Sequence, residues 1–262
     1  MQSAISTRPA DSTQIASRAI ALYRLSRTHF EFPPVSEALE EPNGLLAIGG
    51  DLSPERIERA YRSGIFPWFE AGGPILWWSP NPRALLMPGD LRISRSLRKR
   101  LEHGTFRVTI DTAFAAVVRA CAAPREKADG TWITDDMIAA YERLHELGYA
   151  HSFESWQGDE LVGGLYGVSW GAAFFGESMF ARATDASKVA FCHLDALTIS
   201  RGFAFIDCQV PNPHLRSLGV RDVPRATFVQ MLANTQREST WRGSWRDAPY
   251  ELTMLRSSVT SP

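Results

Sequence analysis

Residues 150–210 constrain the fold more than any other part of the chain. Three stretches rich in aromatic and small residues, AHSFESW (150–156), LVGGLYGVSW (161–170) and AAFFGESMF (172–180), are separated only by QGDE and by a corner at Gly171. Connections that short join antiparallel neighbours, so the three predict a meander. A helix over 187–201 follows and stops at Gly202, and FAFIDCQV (203–210) reads as a strand directly after it. A helix between two strands carries the chain back across the sheet. The predicted class is therefore α+β, with a mixed sheet and helices on its faces.

The flanks agree with that class. On the N-terminal side, Ser53 is a candidate cap and Pro54 suits a first helical turn; Ile57, Ala60 and Tyr61 share one face, and Gly64 stops the helix. Around it lie short strands and turns beside Trp68, Trp77 and Trp78, which predicts either a surface for a ligand or an irregular subdomain packed by its own tryptophans. Ser94–Leu101 predicts a helix with Leu97 and Leu101 inward, FRVTID (106–111) a strand, and 114–121 a helix. Thr134 caps a further helix that carries Asp135 and Asp136 in its positive first turn and ends at Gly148. A last helix follows Pro224. The expected division is an extension over 1–22, a small α+β subdomain over 23–90, a main domain over 91–236 and a tail over 237–262.

Composition narrows the function. A net charge of -1 gives no global attraction for nucleic acid, so any RNA contact needs a local patch, and RISRSLRKR (92–100) is the densest one. Three scattered cysteines argue against a disulfide framework and a structural zinc site. The start lacks the apolar block of a signal peptide, and no long apolar run suggests a membrane span, so the expected location is the cytoplasm. The chain has no P-loop, no GxSxG elbow and no HExxH pair, and its histidines show no ligand spacing. GGLYG (163–167) is followed by strand pattern rather than a helix, unlike a dinucleotide fingerprint.

Strand alternation over 203–210 places Asp207 and Gln209 on one face behind Phe203 and Phe205, with Cys208 opposite. A carboxylate at the inner end of a strand needs a partner, because an unpaired buried charge is costly. Spacing alone leaves two readings open, a reactive pair or a pair that hydrogen-bonds a neighbouring loop. Glu177, between Gly176 and Ser178, either meets an amine or faces water.

Taken together, EPNGLLAIGGDLSPERIERAYRSGIFPWF, ILWWSPNPRALLMP, TWIT, AYERLHELGYAHSFE, GDELVGGLYGV, FGESMF and FIDCQV resemble the characteristic blocks of the leucyl/phenylalanyl-tRNA–protein transferase family, in order over about residues 23–235. The resemblance implies a GNAT-type N-acetyltransferase-like domain with a smaller N-terminal subdomain. It implies transfer of Leu, Phe or, less readily, Met from aminoacyl-tRNA to proteins beginning with Arg or Lys, which then enter N-end-rule degradation. Monomeric action without cofactor or metal is expected. By motif, Asp207 and Gln209 match the catalytic pair, and Glu177 matches the acidic residue near the donor's amino group. Trp68 and Trp132 match the 3′-end site with Tyr141 beside it, and Phe174, Met179 and Ile206 match the side-chain pocket. Arg95 and Lys99 match the start of a basic tRNA-binding cluster. Its next positions here are Glu102 and His103, so Arg98 and Arg100 are the substitutes. Leu165, Phe191 and Leu194 also depart from the family's pattern, which leaves the pocket's volume open. Three alternatives stand beside this one: an acyl-CoA N-acetyltransferase, a peptidoglycan aminoacyl transferase and a non-catalytic RNA-binding module. The first lacks its usual Gly-containing pyrophosphate loop, since ARATDASK stands before the helix at 187.

Overall fold

The computed structural model describes residues 22–123 and 133–252. Apart from Leu22, the extension expected over 1–22 lies outside them, as do Trp132 and residues 253–262. In chain order the N-terminal elements are β1 (Tyr23–Leu25), β2 (Leu45–Gly49), α1 (Pro54–Arg62), β3 (Phe66–Pro67), β4 (Leu76–Trp78) and β5 (Arg83–Leu86). Then come α2 (Arg95–Glu102), β6 (Arg107–Ile110), α3 (Phe114–Ala122), α4 (Asp135–Glu146), β7 (Ala150–Gln157), β8 (Glu160–Trp170) and β9 (Ala173–Ala181). The chain continues through α5 (Ala186–Ser200), β10 (Phe205–Asp207), α6 (Pro213–Ser217), β11 (Arg221–Val223) and α7 (Arg225–Thr235).

The class is α+β with mixed sheets, as expected. A small sheet has the order β1-β2-β4-β3, and a larger one has the order β11-β5-β10-β9-β8-β7-β6. The meander is β7-β8-β9, antiparallel throughout, and α5 then returns the chain so that β10 lies parallel to β9. β5, at residues 83–86, pairs with β10 and β11 and so belongs to the larger sheet.

Side-chain alternation divides the buried residues between the faces of that sheet. Tyr166, Val168, Phe175 and Phe205 meet α1, α3, α4 and α7, whereas Val162, Leu165, Phe174 and Ile206 meet α2 and α5. The first cluster runs without a break into the small sheet through Leu46, Ala47 and Trp77. Residues beyond α7 also join the core: Trp245 is fully buried in the second cluster. Local signals set the helices. Ser94 and Thr134 accept from Leu97 N–H and Met137 N–H as capping residues do. Ser53 makes no such bond at α1, where Pro54 and the left-handed Gly64 mark the limits instead.

Candidate active site

The site forms where β9 and β10 part. They pair only over Ala173–Phe175 and Phe205–Asp207. Immediately beyond, Tyr166 pairs with Ser178 and Gly167 with Gly176, which leaves Glu177 outside the ladder as the extra residue of a bulge. A bulge bends its strand and re-aims a side chain. It also changes phase: Phe174 and Met179, five positions apart, would face opposite ways in a regular strand, yet both pack on the α5 side. Glu177 faces the other side, towards Tyr61 of α1 and Tyr141 of α4.

The strand expected over 203–210 is only three residues long. Gln209 takes a left-handed conformation with φ 62°, so a kink and not strand alternation brings it to Asp207. Phe203 and Phe205 accordingly separate, into the second and first clusters respectively.

Asp207 is fully buried and so is its partner, Arg83 of β5. Arg83 Nε lies 2.9 and 3.0 Å from the two carboxylate oxygens, and Nη2 lies 2.7 Å from Oδ2. Its Nη1 donates to Gly64 O at 3.1 Å, and the guanidinium sits 4.8 Å from the Phe66 ring and 4.6 Å from that of Phe228. Buried charges need this degree of pairing. Asp207 Oδ1 also accepts from the backbone N–H of Gln209 at 2.8 Å. Asp207 therefore meets Gln209, its expected catalytic partner, through the backbone and not through the side chain. The Gln209 amide instead donates from Nε2 to Glu177 Oε1 at 2.9 Å.

Glu177 Oε1 also accepts from Tyr61 at 2.6 Å, and Oε2 accepts from Tyr141 at 2.6 Å; the two hydroxyls are 2.7 Å apart. Burial raises the Glu177 carboxyl to about 7, against the lowering effect of the Tyr141 and Tyr61 hydrogen bonds, while Asp207 raises it further and Arg83 lowers it. This is a carboxyl poised to change charge near neutrality.

Beside it opens a cavity of about 1010 Å³. Glu177, Gln209, Met179, Ile206 and Trp68 line it, together with Leu165, Phe191 and Leu194. Trp68 is 42% exposed and stands 5.5 Å from Trp78, ring to ring. Tyr141 is buried and reaches the site through Glu177. Phe174 is fully buried behind the wall, 6.0 Å from the Trp245 ring, and is not among the lining residues. Trimming it would open a void behind the wall instead of widening the cavity directly. Arg95 and Lys99 are exposed on α2, with Arg98 half-buried. Arg100 is committed to Asp185 at 3.0 Å, just before α5, whose Ser187 lines the cavity; the basic helix thus flanks its rim.

A family model described as leucyl/phenylalanyl-tRNA protein transferase matches residues 85–233, and one described as the N-terminal domain of that transferase matches residues 50–81. The chain belongs to the leucyl/phenylalanyl-tRNA–protein transferase family. It is an aminoacyltransferase. A leucyl/phenylalanyl-tRNA–protein transferase of Stutzerimonas stutzeri is 60% identical over 209 residues, covering 80% of this chain and 92% of the relative. One from Aromatoleum aromaticum is 59% identical over 215 residues, covering 82% and 91%. Among solved structures, L-PGS from Bacillus licheniformis aligns with a TM-score of 0.36 and 12% identity over 64% of this chain and 54% of that one, too distant to bear on function.

Sequence reasoning missed three residues of this candidate site: Arg83, Tyr61 and Tyr166. Tyr61 was visible only as part of an apolar helix face, and Tyr166 only as part of a strand. Arg83 stands in the otherwise apolar run RALLM, which is a weak sign of a buried charge.

Proposed function

We propose that this enzyme transfers leucine or phenylalanine, and less readily methionine, from aminoacyl-tRNA to the α-amino group of proteins that begin with Arg or Lys. It acts in the cytoplasm as a monomer and marks its products for N-end-rule degradation. The observation that carries this reading is the hydrogen-bonded pair Glu177–Gln209 on the wall of a cavity of mixed polar and apolar lining, with Asp207 fixing the backbone behind it.

The donor is an ester and already activated, so the reaction needs little beyond positioning. Orientation alone can supply roughly 7–11 kcal/mol of the barrier. With its Nε2 committed to Glu177, Gln209 turns Oε1 to the cavity, where it accepts a hydrogen bond from the incoming amine. Glu177 polarises that amide and, when ionised, holds the donor's own ammonium group. The amine, whose unperturbed pKa is about 7.7–8.0, attacks the ester carbonyl. The bond from carbonyl carbon to ribose oxygen breaks, and the proton lost by the amine ends on that oxygen. Leu165, Met179, Phe191, Leu194 and Ile206 enclose the donor side chain. Trp68, with Trp132, stacks the terminal adenine, worth about 1–3 kcal/mol per base. Arg95, Arg98 and Lys99 meet tRNA phosphates.

Incubation with radiolabelled Phe-tRNA and a peptide beginning with Arg tests the reading. Label should pass to that peptide and not to one beginning with Ala. Absence of transfer to either overturns it in favour of a different acceptor for the aminoacyl group.

A further inference from the structure

Three tyrosines converge near Glu177, and only two of them are satisfied by it. Tyr61 and Tyr141 hydrogen-bond the carboxylate, while the Tyr166 hydroxyl is buried and has no hydrogen-bond partner among the described residues. Such an orphan costs about 1–3 kcal/mol. The ring itself is fixed: it meets Phe114 edge-on at 5.9 Å and Tyr141 at 5.4 Å. Tyr166 also lines the cavity. An unpartnered donor, closed off from water, on a residue that lines the cavity is what a ligand oxygen would complete.

Its place within the cavity says which oxygen. Leu165 and Tyr166 are successive residues of β8 on opposite faces of the sheet, and both line the cavity, so it reaches both faces through the split between β9 and β10. Beyond Leu165, the side chains of Phe191, Leu194 and Ile206 give the cavity an apolar wall that suits an amino-acid side chain. The half at Tyr166 is bounded by Phe66, Trp68, Ala120, Ala123 and Phe180, and suits a nucleoside. Glu177 and Gln209 stand between the halves, where the ester would lie. Resting on the proposed transfer reaction, we infer that the Tyr166 hydroxyl donates a hydrogen bond to the 2′-hydroxyl of the donor's terminal ribose, next to the ester oxygen. Burial, with the nearby Glu177 and Cys121, holds the phenol well above its ordinary value, so it stays a donor across the working pH range.

The test pairs Tyr166→Phe with two donors, Phe-tRNA ending in adenosine and Phe-tRNA ending in 2′-deoxyadenosine, both acylated at the 3′ position. On the ribose donor the variant should lose about 3- to 10-fold in kcat/KM. On the deoxy donor it should lose nothing further, since the contact is already absent. Its denaturation midpoint should stay level or rise, because the hydroxyl it removes has no partner among the described residues. Wild-type kcat/KM on the ribose donor, or an equal loss on both donors, overturns the assignment. A lowered midpoint does so too, because it gives the hydroxyl a structural partner. Failure of the wild-type enzyme to use either donor would instead remove the transfer reaction itself, and this contact with it.

Discussion

Glu177 is the residue whose charge state matters most, and its environment makes that state measurable. Its folded carboxyl is raised to about 7 by burial, whereas an unfolded glutamate titrates near 4.5. Between those values the folded protein keeps a proton that the unfolded chain has released. Stability should therefore fall as pH rises from about 4.5 to 7, by up to about 1.4 kcal/mol per pH unit from this group. Glu177→Gln should flatten that part of the profile. Denaturant unfolding of both proteins at several pH values between 5 and 7 checks it, and parallel profiles would count against a raised carboxyl. Asp195, also raised by burial, contributes equally to both proteins and drops out of the difference. At this scale the sequence was legible for Glu177, Asp207 and Gln209, because carboxylates and amides stand out inside apolar strands. It was not legible for Arg83, since nothing in local spacing tells that β5 will pair beside a strand more than a hundred residues later. Nor does a non-glycine residue such as Gln209 announce a left-handed backbone.

Among the elements, α2 carries the clearest functional expectation. Arg95 and Lys99 lie one turn apart and exposed, Leu97 anchors the helix, and Arg100 ties it to the cavity rim through Asp185. Each neutralised phosphate contact contributes about 0.7–0.9 to the slope of log K against log salt. Changing Arg95 and Lys99 together to Gln should lower that slope by more than about one unit on intact tRNA. Transfer from an aminoacyl-adenosine should be unaffected. A double variant with the wild-type salt slope would place the docking surface elsewhere. The long elements were readable from sequence because periodicity and caps define them. β5 and β11 were not, being three or four residues long and without alternation. The β9 bulge was equally hidden: one extra residue shifts which side chains share a face and leaves the composition of the strand unchanged. Gly167 shows how tight the ladder is opposite it, since a Cβ there would lie 2.2 Å from Phe175 O.

Across the whole molecule, the segment after α7 ties together β7, the turn after β6 and the end of α5, which its position outside the matching motifs did not suggest. Trp245 stacks between His151 of β7, at 3.6 Å, and Trp241, at 4.5 Å, with Arg201 lying 4.1 Å over Trp241. Its backbone N–H donates to Asp111 Oδ2 at 2.7 Å, the same oxygen that lies 2.9 Å from His151 Nδ1. Trp245 also backs Phe174 and Phe203, so the segment closes the core behind the cavity wall. Trp245→Ala should cost about 3–5 kcal/mol, the range for deleting a large buried aromatic. In a chain of this size each kcal/mol shifts Tm by roughly 2–4 °C, so the melt should move down by about 6–20 °C. Trp245→Phe keeps much of the stack and should recover a large part of the loss. Since Glu177 and Gln209 are held by contacts that do not involve this segment, Trp245→Ala should still transfer its amino acid at temperatures where it remains folded. A melt within about 2 °C of wild type would mean that the segment rests on the core without supporting it.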